Sequence, residues 1–226
     1  TIPAAYIAEL QNFNSLKFEY QRLPLAHESS PEDDDFDKIA TVLSAMDDLW
    51  TSDPNRNGNG SLPASTTPTA IVFEGSADLS SVTTGMVMAC LYIASRKGFP
   101  LHTPAGALDS RFPDLKDAAE YNPIRQLAHL FKGGAERKLE LDLIIDLCAG
   151  AGMVNLRKTI YEYNQRYLSL PPTEPTKPKW LAASLAVLER YFYLMTFCIY
   201  LQEEAYRTAV GGLKGKLFSD WMKEHP

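Results

Sequence analysis

The stretch Thr69-Ala70-Ile71-Val72-Phe73-Glu74-Gly75-Ser76-Ala77-Asp78-Leu79-Ser80-Ser81-Val82-Thr83-Thr84-Gly85-Met86-Val87 decides how the rest of this chain is read. Thr69 to Phe73 is a compact β-branched and aromatic run, the composition of a buried parallel strand. A short polar loop follows. From Val82 to Ser95 the chain is apolar nearly all round, with Met86, Ala89, Cys90 and Ile93 on one face and Val87, Leu91 and Ala94 on another, which predicts a helix buried on several sides. Strand, short loop and helix N-terminus in this order present backbone N–H groups to an anion.

Upstream, Phe18 to Leu25 alternates large and polar side chains around Pro24 and reads as a short strand leading into an acidic loop. Pro31 then opens a carboxylate-rich turn. Phe36, Ile39, Leu43, Met46 and Trp50 recur at helical spacing, so an amphipathic helix is expected over 32–50. The acid run Glu32 to Asp35 suits the positive end of the helix dipole better than a cation site. Residues 51–68, rich in Asn, Gly, Ser, Pro and Thr, form an exposed connection.

Downstream, Pro100, Pro104, Pro113 and Pro123 punctuate an irregular segment with room for one or two short helices, ended by Gly133-Gly134. Helices are expected at 135–148 and 153–167, and Pro171, Pro172, Pro175 and Pro178 then make a stiff linker. Leu181, Leu185, Leu188, Phe192, Met195 and Ile199 step by fours and threes through a long helix over 179–207. Its Tyr and Phe cluster around 191–200 reads as core. Phe218, Trp221 and Met222 predict a last short helix that docks back, and Gly211 to Lys216 a flexible connection. There is no internal repeat.

The 226 residues, 45% hydrophobic and 22% charged, suit one globular domain, with an α/β part over 1–132 and a mainly helical part over 133–226. A net charge of −6 with pI near 5.3 and no basic stripe argues against nucleic acid or an anionic membrane as partner. Cys90, Cys148 and Cys198 are odd in number and widely spaced in apolar context, so neither a disulfide framework nor a zinc site is expected. His102 and His129 have no partner at metal-ligand spacing, and no metal or cofactor is expected. The apolar stretches read as broken by charge short of a membrane span, and the reducing context implied by the cysteines points to the cytoplasm. A start at Thr1 without Met leads to the expectation of a piece of a longer chain.

In cysteine-dependent phosphatases the strand-to-helix loop is C-x5-R: helix end and amides stabilise the thiolate, and the guanidinium binds phosphate oxygens as a fork. Ile71-Val72-Phe73 and Thr83-Thr84-Gly85-Met86-Val87 resemble the segments flanking that loop in the paladin family, whose members carry tandem phosphatase-like repeats related to protein tyrosine phosphatases and tyrosine-phosphatase-like phytases. Tyr20 to Pro24, Pro31 to Asp37, Leu188-Glu189-Arg190-Tyr191-Phe192, Tyr200-Leu201 and Phe218 to Met222 resemble further family segments, in order. The resemblance implies an α/β phosphatase-like fold, a small mostly parallel sheet flanked by helices, with a helical C-terminal extension.

Aligned by its T-T-G-M-V tail, the chain has Gly75 at the family's cysteine and Ser81 at its arginine, with Asp78 where a glycine is usual; in the upstream loop the resemblance puts His27 at the position of the general-acid Asp. Glycine offers no nucleophile, serine no fork, and the Asp78 carboxylate repels phosphate. The loop Gly75, Ser76, Ala77, Asp78, Leu79, Ser80 and Ser81 thus reads as vestigial, and the chain as a pseudophosphatase without catalytic residues. Its expected partners are sister phosphatase-like repeats in the same polypeptide or another protein; the alternative is a module that binds an inositol phosphate or phosphopeptide without cleaving it. A rival loop is Cys148-Ala149-Gly150-Ala151-Gly152-Met153-Val154-Asn155-Leu156-Arg157. Eight residues separate its Cys and Arg, and Leu141 to Leu147 before it has helical spacing, so it lacks the strand and the spacing of a phosphate loop.

Overall fold

Helix-forming sequence accounts for the core. The computed structural model describes residues 30–51, 79–97, 122–211 and 215–225, together with Leu25. Its helices are α1 (Asp33–Thr51), α2 (Leu79–Lys97), α3 (Asn122–His129), α4 (Gly134–Gly150), α5 (Leu156–Ser169), α6 (Lys177–Gly211) and α7 (Phe218–Glu224). Each helix expected from periodicity is present, with bounds shifted by a few residues. The shift that bears on the loop is in α2, which begins at Leu79 rather than Val82. Leu79, Ser80 and Ser81, read as the end of the loop, therefore lie in its first turn.

The expected parallel sheet is corrected. Among the described residues there is no strand, and the core is built helix on helix. The two stretches read as strands, 18–25 and 69–73, lie outside the described residues apart from Leu25. A short apolar run carries no periodicity that separates strand from buried helix. What closes this core is α6, which packs against α5, α2, α4 and α7, while α1 bridges α2 and α7. Because α2 and α6 are apolar on more than one face, each buries its surface against several helices and needs no sheet as partner.

Tyr191, Leu194, Met195, Phe197, Cys198 and Leu201 of α6 are buried, and Phe197 meets Phe36 of α1 and Phe218 of α7 with ring centroids 4.9 and 5.4 Å apart. Lys177–Ala205 is, contrary to the sequence reading, long and apolar enough by length and composition to cross a membrane; here half of its apolar window is buried against the other helices. Pro178 falls in the first turn of α6, where its missing N–H has no intrahelical partner to lose. The proline-rich segment before it is a compact series of turns, tied by Lys177 Nζ donating to the Leu170 carbonyl at 2.6 Å.

Helix ends follow local chemistry. Glu32 and Asp35 form a reciprocal cap on α1: Asp35 N donates to the Glu32 carbonyl at 2.9 Å, and Glu32 N donates to Asp35 Oδ2 at 3.2 Å. The acid run thus serves the helix start. Between α3 and α4 the chain turns so tightly that a Cβ on Gly134 would stand 2.0 Å from the Ala128 carbonyl oxygen, so only glycine fits there.

Candidate functional site

The N-terminus of α2 sits at the end of the Gly75–Ser81 stretch. Gly75, Ser76, Ala77, Asp78 and His27 lie outside the described residues. Ser81 is half-buried in the first turn, and Thr83 and Thr84 behind it are fully buried. Thr84 Oγ1 donates to the Ser80 carbonyl at 2.7 Å. Thr83 Oγ1 accepts the backbone N–H of Val154 at 3.1 Å and so ties the start of α2 to the turn between α4 and α5.

That turn belongs to the rival Cys148–Arg157 stretch, and its glycine has a structural task. Gly152 adopts φ +92°, Gly152 N donates to the Ala149 carbonyl at 3.0 Å, and Met153 N donates to the Cys148 carbonyl at 3.1 Å. This pair of bonds is the Schellman termination of a helix, which requires a left-handed residue. Cys148 itself is inside α4 and 2% exposed. The glycine that suggested a phosphate cradle is a helix cap.

Arg157 points into a carboxylate cluster. Its Nη1 lies 3.1 Å from Asp142 Oδ2, and its Nη2 donates to Asp146 Oδ1, which also accepts from Asn155 Nδ2 at 3.0 Å. Lys138 Nζ reaches Asp142 Oδ2 at 2.5 Å, and Tyr191 Oη donates to Asp142 Oδ1 at 2.8 Å. Asp142, Asp146, Arg157 and Tyr191 are buried and Lys138 is half-buried, so α4, α5 and α6 are pinned by one ionic network. Burial pushes the Asp146 carboxyl above its ordinary value, Arg157 and Asn155 pulling it part of the way back. For Arg157 burial works against the charge, yet Asp142 and Asp146 outweigh it and hold the guanidinium above its usual value. Burial beside Asp142 likewise raises Tyr191. With both carboxylates engaged, this guanidinium is committed inside the protein. The sequence reading missed the network, although acids four residues apart at 142 and 146 within an apolar helix were the available signal.

The remaining candidates resolve simply. His129 is exposed at the end of α3, and His102 lies outside the described residues. Among the described residues no group of His, Cys, Asp or Glu has metal-binding geometry. An open groove of about 350 Å³ is lined by Leu127, Leu185, Leu188, Glu189 and Phe192; its one charged group is a carboxylate, which gives an anionic ligand no donor. Most of the aromatic cluster is core, whereas Phe192 is half-buried at that groove. Cys90 on α2 and Cys148 on α4 are neighbours: interaction with the Cys148 thiol lowers that of Cys90 below its ordinary value, against the opposing effect of burial. The same interaction and burial raise Cys148.

A family model for PTP-like phytases, described by inositol hexakisphosphate, matches residues 4–93, a span that includes α1 and most of α2. The chain is 28% identical to paladin of Danio rerio over 201 residues, 85% of this chain and 21% of that protein. It is 26% identical to paladin of Gallus gallus over 215 residues and 26% identical to that of Homo sapiens, in each case over 92% of this chain and 22% and 23% of those proteins. The chain therefore spans about a fifth of the length of the curated relatives it matches. No solved structure matches it.

Proposed function

From the premise that this chain is a paladin-like domain related to the PTP-like phytases, we propose that it is a pseudophosphatase segment whose work is architectural or regulatory, beside active inositol-phosphate or protein phosphatase repeats. One observation carries the reading: the phosphatase motif, laid on by Thr83-Thr84-Gly85-Met86-Val87, puts Gly75 where the nucleophilic cysteine belongs and Ser81 where the arginine belongs. Without a thiolate no phosphoenzyme forms, and without a guanidinium the transferring phosphoryl group loses its bidentate partner. The rival Cys148–Arg157 pair supports the same reading, since that arginine is held by Asp142 and Asp146.

The partners we propose are the sister repeats of a longer paladin-like chain or another phosphatase-like protein, in the cytoplasm. The test is turnover of inositol hexakisphosphate and of phosphotyrosine peptides by the purified chain. No phosphate release is expected. Hydrolysis that falls when Gly75 or Ser81 is substituted would overturn the proposal. Calorimetry with inositol hexakisphosphate distinguishes the non-hydrolysing binding module: heat of binding at roughly millimolar ligand or below would favour that module over a purely architectural part.

A further inference from the structure

Cys90 and Cys148 lie on α2 and α4, helices packed directly against each other, with the two thiols adjacent across that contact. Both are free thiols. They differ in access, for Cys148 is buried in the core while Cys90 packs against that core and keeps part of its surface in solvent. A small oxidant reaches one sulfur first. The pairing is also held at a second level. Thr83 stands seven residues before Cys90, on the same face of α2, and accepts the Val154 N–H from the turn after α4. This bond, on the same stripe of α2 as Cys90, together with the packing of α2 on α4, fixes how α2 sits on this part of the chain.

We propose that Cys90 is a peroxide-sensitive thiol resolved by Cys148, giving an intrachain disulfide that joins α2 to α4. The Cys90 sulfur attacks a peroxide oxygen, the O–O bond breaks, and the departing oxygen leaves as water or alcohol, with Cys90 now a sulfenic acid. The Cys148 sulfur then attacks the Cys90 sulfur, the S–O bond breaks, and the leaving hydroxide takes the Cys148 proton as water. Two thiols lose two electrons and one peroxide gains them. Cys198 supplies an internal control: it is buried on α6 with its sulfur 3.6 Å from Glu140 Oε2, away from this pair.

The experiment is a hydrogen peroxide titration of the whole chain, followed by alkylation under denaturing conditions, intact mass and peptide mapping. The three alkylatable thiols of the chain are expected to fall to one, with a mass loss of about 2 Da and a peptide joining Cys90 to Cys148. Cys148→Ser should leave a Cys90 sulfenic acid that dimedone captures, and Cys198→Ser should leave the crosslink unchanged. A Cys90 that gains about 16 or 32 Da while Cys148 remains alkylatable overturns the proposal. So does a disulfide between chains, or a Cys90 no more reactive than Cys198. If Cys148→Ser does not fold, the wild-type peptide map decides.

Discussion

The carboxylate of Asp37 accepts the backbone N–H of Phe218 at 2.6 Å and of Ser219 at 3.3 Å, so a side chain in the second turn of α1 caps the N-terminus of α7 near the other end of the chain. Leu217, the residue at that cap position, has no side-chain oxygen to serve those donors. The cap lies beside the aromatic contact of Phe36 with Phe218, whose ring centroids are 4.7 Å apart.

Asp37→Ala should destabilise the protein by about 1–2 kcal/mol, the usual value of a lost N-cap, and loosen α7 specifically. Urea denaturation measures the first, and hydrogen exchange at Phe218 and Ser219 the second. Asp37→Asn, which keeps an acceptor, should recover most of the loss.

Removing Arg157 should be far more damaging than a surface charge change, because Asp142 and Asp146 would stay buried without their shared cation. Arg157→Met is expected to cost about 3–5 kcal/mol in urea denaturation. Adding Asp146→Asn to it should return part of that loss. A double variant no more stable than the single one would mean that the charge of Asp146 is not what the arginine offsets.

The same network gives a pH dependence. Asp146 is raised above its unfolded value of 3.8, chiefly by burial, so the folded state binds this proton more readily than the unfolded chain. In the window between 3.8 and the raised folded value, its contribution to stability therefore increases as pH falls, the reverse of a carboxylate whose folded value is depressed. Burial raises Glu140 also, so it adds in the same direction. Comparing wild type with Asp146→Asn by denaturation across mildly acidic pH should show that the wild type loses less stability on acidification than the variant.

Thr83→Val keeps the shape at the start of α2 and removes the acceptor of the Val154 N–H. Leaving that part-buried donor unmade should cost about 1 kcal/mol. Thr83→Ser should restore most of it, as read by thermal or urea unfolding.

Helix positions were legible because their physics is local. Phe36, Ile39 and Leu43 recur on one face of α1, the steps of fours and threes from Leu181 to Ile199 mark α6, and Glu32 with Asp35 signals a helix start. The identities at Gly75 and Ser81 are legible directly, since glycine has no side chain and serine no guanidinium. The parallel sheet was not secured by the same means, because Thr69 to Phe73 is too short to carry a period, and the core formed by the described residues is helical.

What the sequence alone determined was therefore the helix inventory, the resemblance to a phosphatase family, and the lack of a thiol at position 75 and of a guanidinium at position 81. Tertiary structure decided which distant groups meet: Asp37 with Phe218, Thr83 with Val154, Arg157 with two acids, Cys90 with Cys148. Periodicity records which face of a helix is buried. It holds no term for the partner on the other side, and it is the low-dielectric contact with that partner that turns a glycine-rich turn into a cap and an arginine into half of an ion pair.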